Sequence, residues 1–292
     1  MVNLKAASVN APNLKFMLLL LLLAIRSRTS EAIYSGNDFY CSNRSCPSGM
    51  GNIACNCGPE PIKFDPKCKS PTLLPMDKES RDFIVHQHNL KRSLLARGAL
   101  PPHKPAARMI EMTYSDELAY AACCNIKTCN YGHDRCRSTL QFPSAGQNIA
   151  AKVYCPRTTI MTQPTPLDIV QSIIDVWFNE YKVTSPNYTD SYPMNYKGPQ
   201  IGHFTVFVND KVTQIGCCFA RYEVDPDDLP FIPSNVKEGV PCQNYYFVCN
   251  YSYTNYYKEA SYIKSDKPAT KCESTSTYTG LCGVADQSSV KE

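Results

Sequence analysis

The chain has 292 residues, sixteen cysteines and a formal charge of +4. Much of that charge lies in the first 32 residues: setting aside Lys5, Lys15, Arg26, Arg28 and Glu31 leaves 26 basic against 25 acidic residues, a net of +1. With no basic tract, the chain lacks the electrostatic footprint of a nucleic-acid or anionic-membrane binder.

Lys5 and Lys15 precede an apolar run from Phe16 to Ile25 that contains six consecutive leucines. The run is too short to span a bilayer and suits a signal-peptide core. Ser30-Glu31-Ala32 supplies small residues at a peptidase's spacing, so residues 1–32 read as a signal peptide cleaved near Ala32. The charged region before the run is long, which leaves an internal start open. No later run reaches membrane-spanning length, and a secreted, extracellular chain is expected. In that compartment sixteen cysteines imply disulfides. Cys55-Asn56-Cys57 and the doublets Cys123-Cys124 and Cys217-Cys218 lack the paired spacing of zinc ribbons.

Residues 33–75 are dense in cysteine and proline with little periodicity, and read as an irregular arm stapled to a larger body. Asp77 can cap a helix running to Gly98, with Phe83, Leu90 and Leu94 on one face and Ile84 and Leu95 beside them. His88 and Asn89 lie within it. The pair resembles catalytic chemistry on paper, but Asn89 and Arg92 read better as pins to neighbouring loops. Ser115 caps a second helix, SDELAYAACCNIKTC, whose first turn carries Asp116 and Glu117 where the helix dipole favours acids. Tyr131-Gly132-His133-Asp134 follows in a loop bounded by Cys129 and Cys136. Gly146-Gln147-Asn148-Ile149 leads into a short apolar segment ending at Val153. Thr165, Pro166 and Asp168 mark the start of a third helix. Its stripe of Ile169, Ile173, Val176 and Trp177 continues to Glu180, placing a carboxylate at the end of a buried face.

The stretch Ile201 to Val208 is β-branched and aromatic and reads as a strand. Its alternation would put His203, Thr205 and Phe207 on one face. Gln214–Tyr222 and Tyr245–Ser252 read as further strands of a small, mainly antiparallel sheet. Asp225 to Pro241 is a proline-rich loop, and residues 258–292 form a tail in which Cys272 and Cys282 close a loop. Three sequons, at Asn43, Asn187 and Asn250, are glycosylation candidates, the last inside a predicted strand.

HNLKR at 88–92, GQNI at 146–149, GHFTVFVND at 202–210 and YFVCNYS at 246–252 stand in one order. Together they resemble the CAP superfamily of cysteine-rich secretory, antigen 5 and pathogenesis-related class 1 proteins. RGALPPHKPAARM, YSDELAYAA, YGHDRC and the cysteine-rich arm resemble its insect antigen 5 branch. The resemblance implies an α+β fold, a three-layer α-β-α sandwich over residues 76–257 with the stapled arm before it. It also implies a central cleft of two histidines and two acids, matched singly by His133, His203 and Glu180, with the amide Gln147 at the second acidic position. In some members the two histidines bind a metal such as zinc. Val206 and Asn209 replace a glutamine and a tryptophan common in the family, making the cleft edge less polar. The implied disulfides are Cys41–Cys55, Cys46–Cys136, Cys68–Cys129 and Cys217–Cys249. Cys57, Cys123, Cys124, Cys155, Cys218 and Cys242 are extra, and a Cys218–Cys242 bond is one option among them.

Two histidines fall short of the three protein ligands usual for catalytic zinc. A metal-assisted hydrolase with Glu180 as base is therefore the alternative to a non-enzymatic reading. No cofactor is required on that reading, and any zinc is held weakly by His133 and His203. The resemblance offers capture of a fatty acid, eicosanoid or sterol between the helices, which competes with an ordinary packed core. It also offers a protein partner met through the arm or the tyrosine-rich loops. Saliva, venom or reproductive fluid would be the setting, and a monomer is expected.

Overall fold

The computed structural model describes residues 37–47, 49–58, 63–157, 164–229, 236–237 and 239–289; the leader and the site near Ala32 lie outside them. The arm carries a short helix, α1 (Asn37–Tyr40), and ends in strand β1 (Lys69–Leu73). Helix α2 (Lys78–Ala96) starts where Asp77 accepts the Ser80 N–H, and α3 (Asp116–Ile126) where Ser115 accepts the Leu118 N–H. Between them lies the two-residue strand β2 (Thr113–Tyr114). Strand β3 (Gly146–Tyr154) follows, then α4 (Pro166–Asn179), which opens on a full capping box between Thr165 and Asp168. Such reciprocal bonds satisfy N–H groups that a helix start leaves unpaired. Short helices α5 (Pro186–Asp190) and α6 (Gly202–Phe207) come next, before strands β4 (Gln214–Val224) and β5 (Cys242–Tyr251).

The sheet runs β1-β4-β5-β3 with antiparallel neighbours, and β2 pairs in parallel with β4. Side-chain alternation along β4 and β5 divides the interior in two. Ile215, Cys217, Phe219, Phe247, Cys249 and Tyr251 face α2, α4 and α6. Cys218, Ala220, Tyr222, Tyr246 and Val248 face α3 and the arm. This is the three-layer α-β-α arrangement. It closes tightly at Gly216, where an added Cβ would stand 2.2 Å from Ala119 N and 2.3 Å from Ser115 O.

Three sequence expectations are corrected. The GHFTVF stretch is helix α6, not a strand. Phe204, Thr205, Val206 and Phe207 are all buried, so their burial has no period for a pattern to reveal. At its start the Phe204 N–H donates to Glu180 Oε2 at 3.0 Å, a partner remote in sequence. Second, the apolar stripes of α2 and α4 are each broken by one exposed residue, while Ile84, Leu95, Ile169, Ile173 and Trp177 are buried as expected. Leu90 is 41% and Val176 60% exposed, whereas His88, Asn89 and Arg92 are fully buried. Arg92 fills its site by donating to the carbonyls of Phe207, Asn209, Ile110 and Val212 at 2.8–3.0 Å. Asn89 exchanges two bonds with the Met112 backbone. Third, Cys218 bonds Cys123 and Cys242 bonds Cys155, not each other. Cys218 points at α3, while Cys242 begins β5 beside the end of β3.

All sixteen cysteines are paired. Besides those two bonds and Cys57–Cys124, the structure joins Cys41 to Cys55, Cys46 to Cys136, Cys68 to Cys129, Cys217 to Cys249 and Cys272 to Cys282. The tail lies against the body: Ser93 Oγ donates to Thr279 O, and Ile110 bridges to Cys282. Among the described residues no helix is long and apolar enough to cross a membrane.

Candidate functional site

A cleft of about 590 Å³ opens between the His133 loop, the first residues of β3, α6 and the 192–201 loop. His133, Gln147 and His203 line it; Glu180 sits behind His203 with both carboxylate oxygens engaged. The structure thus gathers the four expected residues from a loop, a strand, a 3-10 turn after α4, and α6.

His203 Nδ1 donates to Glu180 Oε1 at 2.5 Å. Its ring stacks on Trp177 with centroids 5.8 Å apart, and Trp177 stacks in turn on Phe247. His133 Nδ1 donates to Gln147 Oε1 at 2.9 Å. Burial lowers the proton affinity of His133, opposed by the Gln147 bond, while the charges of Arg137 and His203 push it down further. Both imidazoles therefore spend Nδ1 on an acceptor and keep Nε2 as a lone-pair donor. Histidines that ligate metals are commonly held in this way. Burial and the nearby charge of Glu180 also raise the affinity of the Tyr192 phenol, on the facing wall, for its proton.

Gln147 is bound at both ends. Its Nε2 donates to Asp134 Oδ2 at 2.7 Å and to Asn250 Oδ1 at 3.0 Å, directly across the strand pair. Asp134 is itself ion-paired with Arg137 Nε at 2.8 Å. A carboxylate at position 147 would face that of Asp134, so the amide removes a like-charge contact. Gly146 must be glycine for space, because a Cβ there would lie 2.5 Å from Tyr253 O. Behind the cleft, Tyr251 donates to His88 Nε2 and accepts from Asn148 Nδ2, both at 3.1 Å.

Two imidazole nitrogens are the donors that could hold a divalent metal here. Gln147 Oε1 and both Glu180 oxygens already accept a hydrogen bond each, so the set fits a weakly held ion with open positions. A second cluster, Cys272, Cys282 and Asp286, is closed by its disulfide, with Asp286 accepting the N–H groups of Glu273 and Ser274. The candidate sequon at Asn250 is withdrawn: that residue is fully buried, and its Nδ2 donates to Leu118 O at 3.2 Å. Asn43 and Asn187 are exposed. Sequence reasoning missed Asp134, Arg137 and Asn250 as parts of the site. The register that sets Gln147 opposite Asn250 was the signal that could have found the last.

A disulfide-rich α-β-α sandwich with a two-histidine cleft defines the class. The profile of the Cysteine-rich secretory protein family, CAP, matches residues 85–251, and the chain belongs to that family. Within it the chain is similar to the antigen 5 branch. It is 35% identical over 251 residues to Venom allergen-1 of Aedes aegypti, covering 85% of this chain and 88% of that protein. Antigen 5 like allergen Cul n 1 of Culicoides nubeculosus is 35% identical over 150 residues, covering 51% of this chain and 65% of its own. A solved structure described as NaASP2 with Zn2+ has the same fold, with TM-score 0.52 and 24% identity over 71% of this chain and 96% of that one.

Proposed function

We propose that this is a secreted, antigen 5-like extracellular protein that binds rather than catalyses, and that its cleft holds a divalent cation together with an oxygen-bearing small ligand or partner group. One observation carries this reading: Glu180, among the described residues the only carboxylate at hydrogen-bond distance from a cleft histidine, has one oxygen on His203 and the other on the Phe204 N–H. It is thereby a support for the imidazole and not a free base for hydrolysis. Among the described residues no serine or cysteine lines the cleft, so a nucleophile of those types is not at hand. The venom-allergen names of the relatives and the eight disulfides support secretion into an oxidising setting such as saliva or venom.

His133 and His203 would hold the metal through Nε2, and the ion would supply a Lewis-acidic anchor for an oxygen ligand. The chain's own part is to keep both rings in place through Gln147 and Glu180. Trp177, the single tryptophan, reports on this because it stacks on His203. Zinc titrated into the purified protein should change Trp177 emission in a saturable way, with a dissociation constant in the micromolar range or weaker. His133→Ala should abolish the change. An emission that ignores zinc, or that responds equally in the variant, would sink the reading.

Capture of a small hydrophobic ligand between α2 and α4 is the second reading. It is favoured by exposed Leu90 and Val176, which flank the Lys91–Asp175 ion pair joining those helices. Native mass spectrometry of the secreted protein tests it: a retained fatty acid, eicosanoid or sterol supports it, and a bare polypeptide counts against it.

A further inference from the structure

The two cleft histidines are oriented by different chemistry. His203 leans on a carboxylate. His133 leans on a neutral amide whose own orientation is fixed from behind. Asn250 Nδ2 donates to the main-chain carbonyl of Leu118 at 3.2 Å, which turns Asn250 Oδ1 towards Gln147. Gln147 Nε2 then gives its two protons to Asn250 Oδ1 and Asp134 Oδ2, at 3.0 and 2.7 Å. Turning the amide over would set its oxygen against two acceptors, so only Nε2 can face that way. Gln147 Oε1 is left to face His133 Nδ1, which must carry a proton to meet it at 2.9 Å. The relay is buried: Asn250 is fully enclosed and the Asp134 side chain is 4% exposed.

We propose that Asn250 and Asp134, acting through Gln147, are positioning residues that lock His133 as the Nδ1–H tautomer and so present its Nε2 lone pair to whatever the cleft binds. The lock needs no net charge in contact with the ring. It gives the pair an asymmetry: His203 is backed by an anion and His133 by a dipole anchored to a helix carbonyl. It also explains why position 250 must be an unmodified asparagine and why position 147 tolerates an amide. The effect on cation affinity rests on the cleft reading above; the tautomer itself does not.

The test separates the two. Long-range ¹H–¹⁵N NMR of the imidazoles in the metal-free, disulfide-intact protein reads the tautomer of His133 directly. Wild type should show the Nδ1–H form alone. Gln147→Met, close in shape but without an acceptor, should give a mixture of tautomers and weaken zinc binding, read by Trp177 emission, by about 10–100-fold. An unchanged tautomer in Gln147→Met overturns the proposal, as does a lost tautomer with undiminished zinc affinity. Should wild type bind no zinc, the cleft reading fails and the NMR comparison alone decides the lock. The double variant Asn250→Ala, Asp134→Ala, which removes both acceptors behind Gln147 Nε2 without touching His133, should reproduce the mixture; a single tautomer there overturns the relay.

Discussion

Arg92 offers the sharpest test of how the cleft is held in place. Its guanidinium has no exposed surface, and its two terminal nitrogens each donate to two main-chain carbonyls. Two of those carbonyls, Phe207 and Asn209, belong to the end of α6 and the turn after it, so Arg92 fixes the segment that carries His203. In Arg92→Lys an ammonium can stand for one of the two nitrogens but not both. Two charge-assisted bonds are lost, at about 1.5–3 kcal/mol each. The variant should therefore be destabilised by about 3–6 kcal/mol, and for a domain of this size that lowers Tm by about 6 °C or more. Guanidinium denaturation with the disulfides intact measures this, and zinc-dependent Trp177 emission should weaken in parallel. A loss below about 1 kcal/mol would refute the claim that the planar fork, rather than positive charge, organises this corner.

Acidification should destabilise the protein. Burial holds His88 and His103 below the ordinary histidine value, His88 down to about 3. The unfolded chain then takes up protons that the folded one refuses. Stability is full above about pH 6.5 and falls as the pH drops through the folded values, by up to about 1.4 kcal/mol per pH unit for each histidine. A guanidinium midpoint that stays flat from pH 7 to pH 5 would contradict this. Glycopeptide mapping should find Asn250 bare, and any glycan on Asn43 or Asn187; sugar on Asn250 would mean that its bond to Leu118 O is not made. Gly216→Ala should cost the upper end of the usual 1–3 kcal/mol for overpacking, about 3 kcal/mol, because the atoms it meets are main chain and cannot swing away. Secretion yield and denaturation midpoint check that.

The helix starts were legible because their chemistry is local: Asp77, Ser115 and Thr165 each bond an N–H three residues on. The strands of the sheet's centre were legible for the same reason, since alternation along β4 and β5 needs no partner to be seen. Helix α6 was not, because Phe204 to Phe207 are all buried and an N–H of its first turn, that of Phe204, is met by Glu180, 24 residues away. The stripe of α2 misled at Leu90, because hydrophobicity does not show that His88 will find a carbonyl and a hydroxyl inside; the reading of Asn89 and Arg92 as pins to neighbouring loops holds in their bonds to the carbonyls of Met112, Ile110 and Asn209. Of the cleft, motif resemblance supplied His133, Gln147 and His203, which line it, and Glu180 behind His203. The residues behind them became visible only once β3 and β5 were in register.

The two cysteine doublets have a consequence for the whole molecule. Cys249 is tied to Cys217, its neighbour Cys218 to Cys123, and its neighbour Cys124 to Cys57. The path runs from β5 through β4 and α3 into the arm, passing from one bond to the next through a single peptide link. No sequence-specific protease cuts within a doublet, so a digest of the oxidised protein releases the peptides bearing these six cysteines as one species. A nick between β4 and β5 likewise severs the chain without freeing either strand from the other. In a fluid rich in proteases, cuts between these segments leave β5, β4, α3 and the arm joined as one piece until electrons are supplied.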